Sequence, residues 1–274
     1  MAPVAAAVTR VLITGFGPFQ NVPVNPSFAI VSRLPTTLPN NIEIYTHPSA
    51  IPVSYHPTIE LLPELYGSTQ PDIALHIGVA EGRKYFAVEA GSSRNNFDLI
   101  RDNDGRNFSD AEGVAAWGDS PTRLDTDLDL DGTIESWQER TKDFKWPAML
   151  SREMQSMGDV AEQKVDVKVS RGLSVAMGNV EEEEISVMAP DPDDEVRWSD
   201  NVGFYLCGFI YYAGMVQKSR MTAAEGSANA RVGKRDTVFM HVPLLISDEE
   251  IGVGVDVTTE LVQSLVENWR ALKE

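Results

Sequence analysis

Two short apolar runs, each stopped by a glycine, constrain this chain most: Val11-Leu-Ile-Thr before Gly15 and Ile73-Ala-Leu-His-Ile before Gly78. Runs of that length and composition read as strands of a sheet interior. Helical patterns alternate with them. Asn25 and Pro26 suit a helix cap and first position, and Phe28, Ile30, Val31 and Leu34 give a stripe that Pro35 stops. Ile42-Glu-Ile-Tyr alternates as a half-buried strand, and Ile51-Pro-Val leads into a second helix over about Pro57 to Tyr66. The alternation implies an α/β layer structure with a largely parallel sheet, whose chemistry gathers in loops at the carboxyl ends of the strands. Phe16-Gly-Pro-Phe19 and Gly78-Val-Ala-Glu-Gly82 are therefore expected along one rim, with Tyr85 to Glu89 a short strand or loop that brings Glu89 near it.

From about Phe108 to Arg197 the pattern weakens to a helix near Thr133 to Lys142 and strand-like Val165-Asp-Val-Lys-Val. Order returns with an apolar helix carrying Cys207, expected to be capped at Asp200 or Asn201 and to end near Ser219. A polar connection over Lys218 to Arg235 follows, then a compact strand Thr237 to His241 and a final amphipathic helix capped by Asp248 or Thr258.

The net charge is -18 and the pI about 4.6, with the acidity concentrated between Asp104 and Asp200. That balance argues against nucleic acid or an anionic membrane surface as partner. One cysteine excludes an intrachain disulfide framework and a multi-cysteine zinc site. With neither a signal-like start nor an apolar window of membrane-spanning length, a soluble cytoplasmic protein is the expectation.

Cys207 near a helix start is placed for a stabilised thiolate, although free cysteines are also frequent packing residues. His241 at a strand end offers the imidazole that a nucleophilic thiol requires, and residue type alone leaves both readings open. Phe16 and Phe19 on a tight loop either pack inward or sandwich a small, flat, uncharged ligand. The loop lacks the third glycine of a dinucleotide fingerprint, and Pro18 removes an amide donor. Asp127, Asp129, Asp131 and Gly132 follow the order of a calcium loop, but Gln138 stands where the bidentate carboxylate belongs, so an acidic turn capping the next helix is the stronger reading. His47, His56 and His76 have no metal-ligand spacing, and no metal site is assigned.

Taken together, the blocks resemble the pyroglutamyl peptidase I family, cysteine peptidases that remove an N-terminal pyroglutamate from peptides. The resemblance rests on Thr14-Gly-Phe-Gly-Pro-Phe19 with Val24-Asn-Pro26; on Gly78-Val-Ala-Glu-Gly-Arg83 with Val88-Glu89 and Asp102-Asn-Asp-Gly105; and on Asp200 to Cys207 with Phe239-Met-His-Val-Pro243. It implies a three-layer α/β/α sandwich with a mixed, largely parallel central sheet. It also implies one domain over 1–274 with an acidic insertion at about 142–190. By motif the catalytic set falls on Glu89, Cys207 and His241, and the ring-holding aromatics on Phe16 and Phe19. The implied substrates are small peptides with N-terminal pyroglutamate, and no cofactor is required. Two departures stand out: Leu99 occupies the position of a family arginine, and the insertion is long. They motivate an alternative, a non-catalytic member binding peptide ends or a partner through the insertion.

Overall fold

The computed structural model describes residues 7–19, 22–146, 195–224 and 233–273. In chain order the first elements are β1 (Thr9–Gly15), α1 (Pro26–Val31), β2 (Thr37–Leu38), β3 (Ile42–Thr46), α2 (Tyr55–Thr69), β4 (Ile73–Val79), β5 (Phe86–Glu89) and β6 (Gly91–Ser93). They are followed by α3 (Asp110–Trp117), β7 (Arg123–Asp125), α4 (Leu130–Thr141), β8 (Val196–Ser199), α5 (Leu206–Ala224), β9 (Thr237–Val242) and α6 (Asp248–Ala271).

Among the described residues seven strands form one sheet in the order β2-β3-β1-β4-β9-β5-β8, and β6 pairs with β7 separately. The central β3, β1, β4 and β9 are parallel, while β2 and the β5-β8 pair run the other way. β4 and β9 are buried along their whole length, as their continuous apolar runs require. Alternation then sorts the side chains. Val11, Ile13, Leu75, Ile77, Val238 and Met240 face a core closed by α1, α4 and α6. Leu12, Ala74 and Phe239 face the opposite core, closed by α2, α3 and α5. This is the expected three-layer sandwich with a mixed, largely parallel sheet.

Several boundaries differ from the sequence expectation. The helix α2 starts at Tyr55 rather than near Pro57 and continues past Tyr66 to Thr69. The weak region holds a helix the pattern does not reveal: Ser109 and Glu112 form a reciprocal capping box that starts α3, and its length is only eight residues. The residues Lys218 to Ala224, expected in a polar connection, continue α5, because Lys218 and Thr222 are buried and hydrogen-bonded. Ser247, not Asp248 or Thr258, caps α6 through a second capping box with Glu250. The strand-like Val165 to Val169 lies outside the described residues, as does the acidic insertion from residue 147 onward. No helix among the described residues is long and apolar enough to cross a membrane.

Candidate active site

The rim of the sheet is built from the ends of β1 and β4, as the strand-end rule predicts. Beyond Gly15 the chain turns through Phe16 to Phe19, held from below by α1. Phe16 N–H donates to Ser27 Oγ (2.9 Å), and Asn25 Nδ2 donates to the Gly17 carbonyl (2.9 Å) while its Oδ1 caps the helix by accepting from Ser27 N–H (3.1 Å). Asn103 Nδ2 fixes the outer side of the loop by donating to the Pro18 carbonyl (3.0 Å). Asp102 shapes that second turn, accepting from the N–H groups of Tyr55, Asp104 and Arg106. The two loops thus hold Phe16 and Phe19 at a cavity of about 170 Å³ that Val53, Val79, Val202 and Leu206 also line, with Cys207 and His241 in its wall. Phe16 is buried at the sheet end, and Phe19 is half-buried.

The register of the sheet brings the remaining groups together. His241 lies opposite Gly78 across the parallel β4-β9 pair, and the antiparallel β5-β9 pair sets Glu89 opposite Phe239. Glu89 is therefore the diagonal neighbour of His241 on one face, within reach of a long side chain. Glu89 Oε1 lies 2.7 Å from His241 Nδ1. An ionised carboxylate has no proton to give, so Nδ1–H donates and Nε2 is the basic nitrogen of the neutral ring.

Cys207 reaches the same place from α5. A Cβ added to Gly78 would stand 3.0 Å from Cys207 Sγ and 2.7 Å from Phe239 Cζ, so the thiol and the ring both occupy the space above that glycine. The helix begins at Leu206, later than a cap at Asp200 or Asn201 would place it. Asn201 instead braces the site through its backbone: its N–H donates to Glu89 Oε2 (3.1 Å) and its carbonyl accepts from Arg83 Nη2 (2.6 Å). Because β8 runs antiparallel to β9, the segment Asn201 to Tyr205 must return to the rim before α5 can start.

Burial raises the Glu89 carboxyl, but the hydrogen bond from His241, the charge that ring carries once protonated in acid, and the charge of Arg83 outweigh it and hold the group down at about 2. The thiol behaves oppositely. Burial, reinforced by the Glu89 carboxylate, pushes Cys207 up to about 12 despite the opposing Arg83 charge. Burial therefore acts against the thiolate that the helix start favours.

The sequence assigns no part in the site to Arg83 or Tyr211, and gives Asn201 only that of a helix cap. Arg83 Nη1 donates to Glu89 Oε1 (2.6 Å), and the Tyr211 hydroxyl donates to the Glu89 carbonyl (2.9 Å). The only sequence signal is the position of Arg83 in the Gly78 to Arg83 block. Leu99 is 57% exposed, and the guanidinium that meets the carboxylate is that of Arg83. At the calcium-like loop, Asp127 pairs with Arg235 (3.0 Å) and Asp129 caps α4 through Gly132 N–H (3.1 Å). Among the described residues no group of three or more His, Cys, Asp or Glu side chains is arranged to hold a metal ion.

A family profile described as pyroglutamyl peptidase matches residues 9–125, which include the Phe16 loop, the Gly78 rim and Glu89. The chain is related to the pyroglutamyl peptidases. It is 36% identical over 105 residues to pyrrolidone-carboxylate peptidase 1 of Ralstonia nicotianae, covering 38% of this chain and 48% of that protein. Against the pyrrolidone-carboxylate peptidase of Pyrococcus furiosus it is 28% identical over 131 residues, covering 48% of this chain and 61% of that protein. The chain thus spans about half the length of the curated relatives it matches. Likeness of fold reaches further. A mutant pyrrolidone carboxyl peptidase from Pyrococcus furiosus superposes with a TM-score of 0.61 at 18% identity, covering 95% of this chain and all (100%) of that one. Pyroglutamyl peptidase I from Bacillus amyloliquefaciens gives 0.60 at 19% identity, covering 96% of each chain. The pyroglutamyl peptidase fold therefore extends to the half of the chain that carries α5 and β9.

Proposed function

We propose that the protein is a cysteine peptidase that removes an N-terminal pyroglutamyl residue from small peptides. One observation carries the reading: a thiol, an imidazole and a buried carboxylate converge beside an apolar cavity lined by Phe16 and Phe19. In this reading Glu89 fixes the His241 tautomer through Nδ1–H, so that Nε2 accepts the proton of Cys207. Sγ attacks the carbonyl carbon that joins pyroglutamate to the next residue. His241 returns the proton to the leaving nitrogen as the C–N bond breaks, which leaves a pyroglutamyl thioester. Water then attacks the thioester, His241 takes its proton, and the acid leaves as Sγ is reprotonated.

The oxyanion of each tetrahedral state falls to backbone N–H groups at the start of α5, including that of Cys207, which have no helical carbonyl four residues earlier to accept from them. Burial favours the protonated thiol, and His241 supplies the base that removes its proton for attack. The lactam is flat and neutral and suits the two rings. A protonated N-terminus would lose its hydration there without a partner, so the pocket selects against it.

The test compares pyroglutamyl-aminomethylcoumarin with the glutaminyl analogue under reducing conditions. Release of fluorophore from the first alone supports the reading. Folded protein that turns over neither refutes it.

A further inference from the structure

The charge that completes this site comes from a residue that the sequence motifs leave without a role. Arg83 follows the turn after β4, where its N–H donates to the Ala80 carbonyl (3.0 Å), and its side chain is 5% exposed. Its guanidinium spans two parts of the site. Nη1 meets Glu89 Oε1 at 2.6 Å, on the same oxygen that accepts from His241, and lies 3.4 Å from His241 Nδ1. Nη2 donates to the Asn201 carbonyl at 2.6 Å, and Asn201 itself lines the cavity. Both Arg83 and His241 Nδ1–H are donors here, so their contact reflects a shared acceptor and not a bond between them.

We propose that Arg83 is a positioning residue of the reaction: it neutralises the Glu89 carboxylate beside His241, so that the imidazole rests as a neutral base, and ties that carboxylate to the Asn201 wall of the cavity. The inference rests on the peptidase reading of Cys207, His241 and Glu89. Among the described residues the titratable and charged groups facing His241 and Arg83 include Glu89 from β5, Cys207 and Tyr211 from α5, and Tyr85 just before β5, whose ring centroid lies 5.7 Å from Arg83 Cζ. A carboxylate alone would favour the imidazolium; a cation on the same oxygen opposes it. The planar fork matters separately, because one guanidinium meets two acceptors that an ammonium can serve only as a point charge.

The test is a titration of the four histidines by carbon-13 NMR, with His241 assigned by its loss in His241→Asn. It is made on wild type, Arg83→Gln and Arg83→Lys, alongside the pH profile of kcat/KM for a pyroglutamyl substrate. In Arg83→Gln, His241 should take up its proton about one pH unit higher than in wild type, with the acid limb of kcat/KM moving by the same amount. Arg83→Lys should keep the wild-type midpoint but raise KM, since the tie to Asn201 is lost. A folded Arg83→Gln protein with an unmoved His241 midpoint overturns the proposal. If that variant does not fold, a raised midpoint or an unchanged KM in Arg83→Lys does so. The NMR titration needs no turnover, so failure of the peptidase reading would appear as absent activity with the histidine shift intact.

Discussion

Replacing Gly78 by alanine tests the assembly of the site with the smallest available change. The new methyl carbon would lie 2.7 Å from Phe239 Cζ and 3.0 Å from Cys207 Sγ. Carbon atoms pack at about 3.5 Å or more, so the ring or the strand must move by roughly 0.8 Å and the sulfur by roughly 0.5 Å. Neither moves alone. Phe239 is fully buried, and its ring meets the His241 imidazole edge-on with centroids 4.8 Å apart. Relieving the clash therefore displaces the imidazole, the thiol or both. Overpacking of this kind costs about 1–3 kcal/mol, and a reacting group displaced by about 1 Å loses about a hundredfold in rate. Circular dichroism should report a lower Tm, and kcat/KM for the pyroglutamyl substrate should fall by roughly two orders of magnitude. Gly67→Ala supplies the control: its added carbon meets nothing within 4 Å on the exposed side of α2, and it should gain about 0.5–1 kcal/mol with unchanged turnover. An unshifted Tm and turnover within about twofold of wild type in Gly78→Ala, far from the expected hundredfold, would refute the placement of thiol and ring over that glycine.

The two pocket aromatics should separate by what each supports. Phe19→Ala should raise KM about tenfold with little loss of stability, whereas Phe16→Ala should cost about 3–5 kcal/mol in urea denaturation because its ring belongs to the buried core. An unchanged KM in Phe19→Ala would remove that ring from the substrate site. Acid stability should report His76, whose Nδ1 and Nε2 meet Thr14 Oγ1 (2.7 Å) and the Tyr66 hydroxyl (3.1 Å) in the core and whose imidazole burial holds down at about 3. The unfolded chain takes up this proton first, near pH 6.5, so the contribution is complete above that value and falls with pH by up to about 1.4 kcal/mol per unit. Glu89 and Glu112, both held down at about 2, act only below the ordinary carboxylate range of about 4.5. Urea midpoints between pH 6.5 and 4.5 should therefore decline in wild type and much less in His76→Gln; equal slopes would contradict the assignment.

The layers of the fold are legible in the sequence because β1 and β4 are buried on both faces and carry unbroken apolar runs, and because glycine marks where each strand stops. The same logic puts Phe16, Phe19 and Gly78 on one rim. Glu89 and His241 are paired in sequence only by family resemblance, since nothing in their local sequence joins them. Their contact depends on the antiparallel β5-β9 register, a long-range property that neither strand encodes in its own pattern. Asn201 looks like a helix cap in sequence, yet its amide serves Glu89, since tertiary hydrogen bonding overrides local preference there. Cys207 sits half-buried in the cavity wall, a placement that position near a helix start does not determine. Helix α3 escapes the periodicity reading because eight residues give too few turns, and its Ser109 and Glu112 box is the readable sign.

As the proposed nucleophile of a pyroglutamyl peptidase, Cys207 must be indispensable to turnover. The most direct measurement is turnover of pyroglutamyl-aminomethylcoumarin by wild type and Cys207→Ser, both verified as folded by thermal melting and kept under reducing conditions. Turnover in wild type that is abolished in Cys207→Ser, with an unchanged Tm, is the predicted result. Equal turnover by the two proteins, or none by wild type, would contradict it.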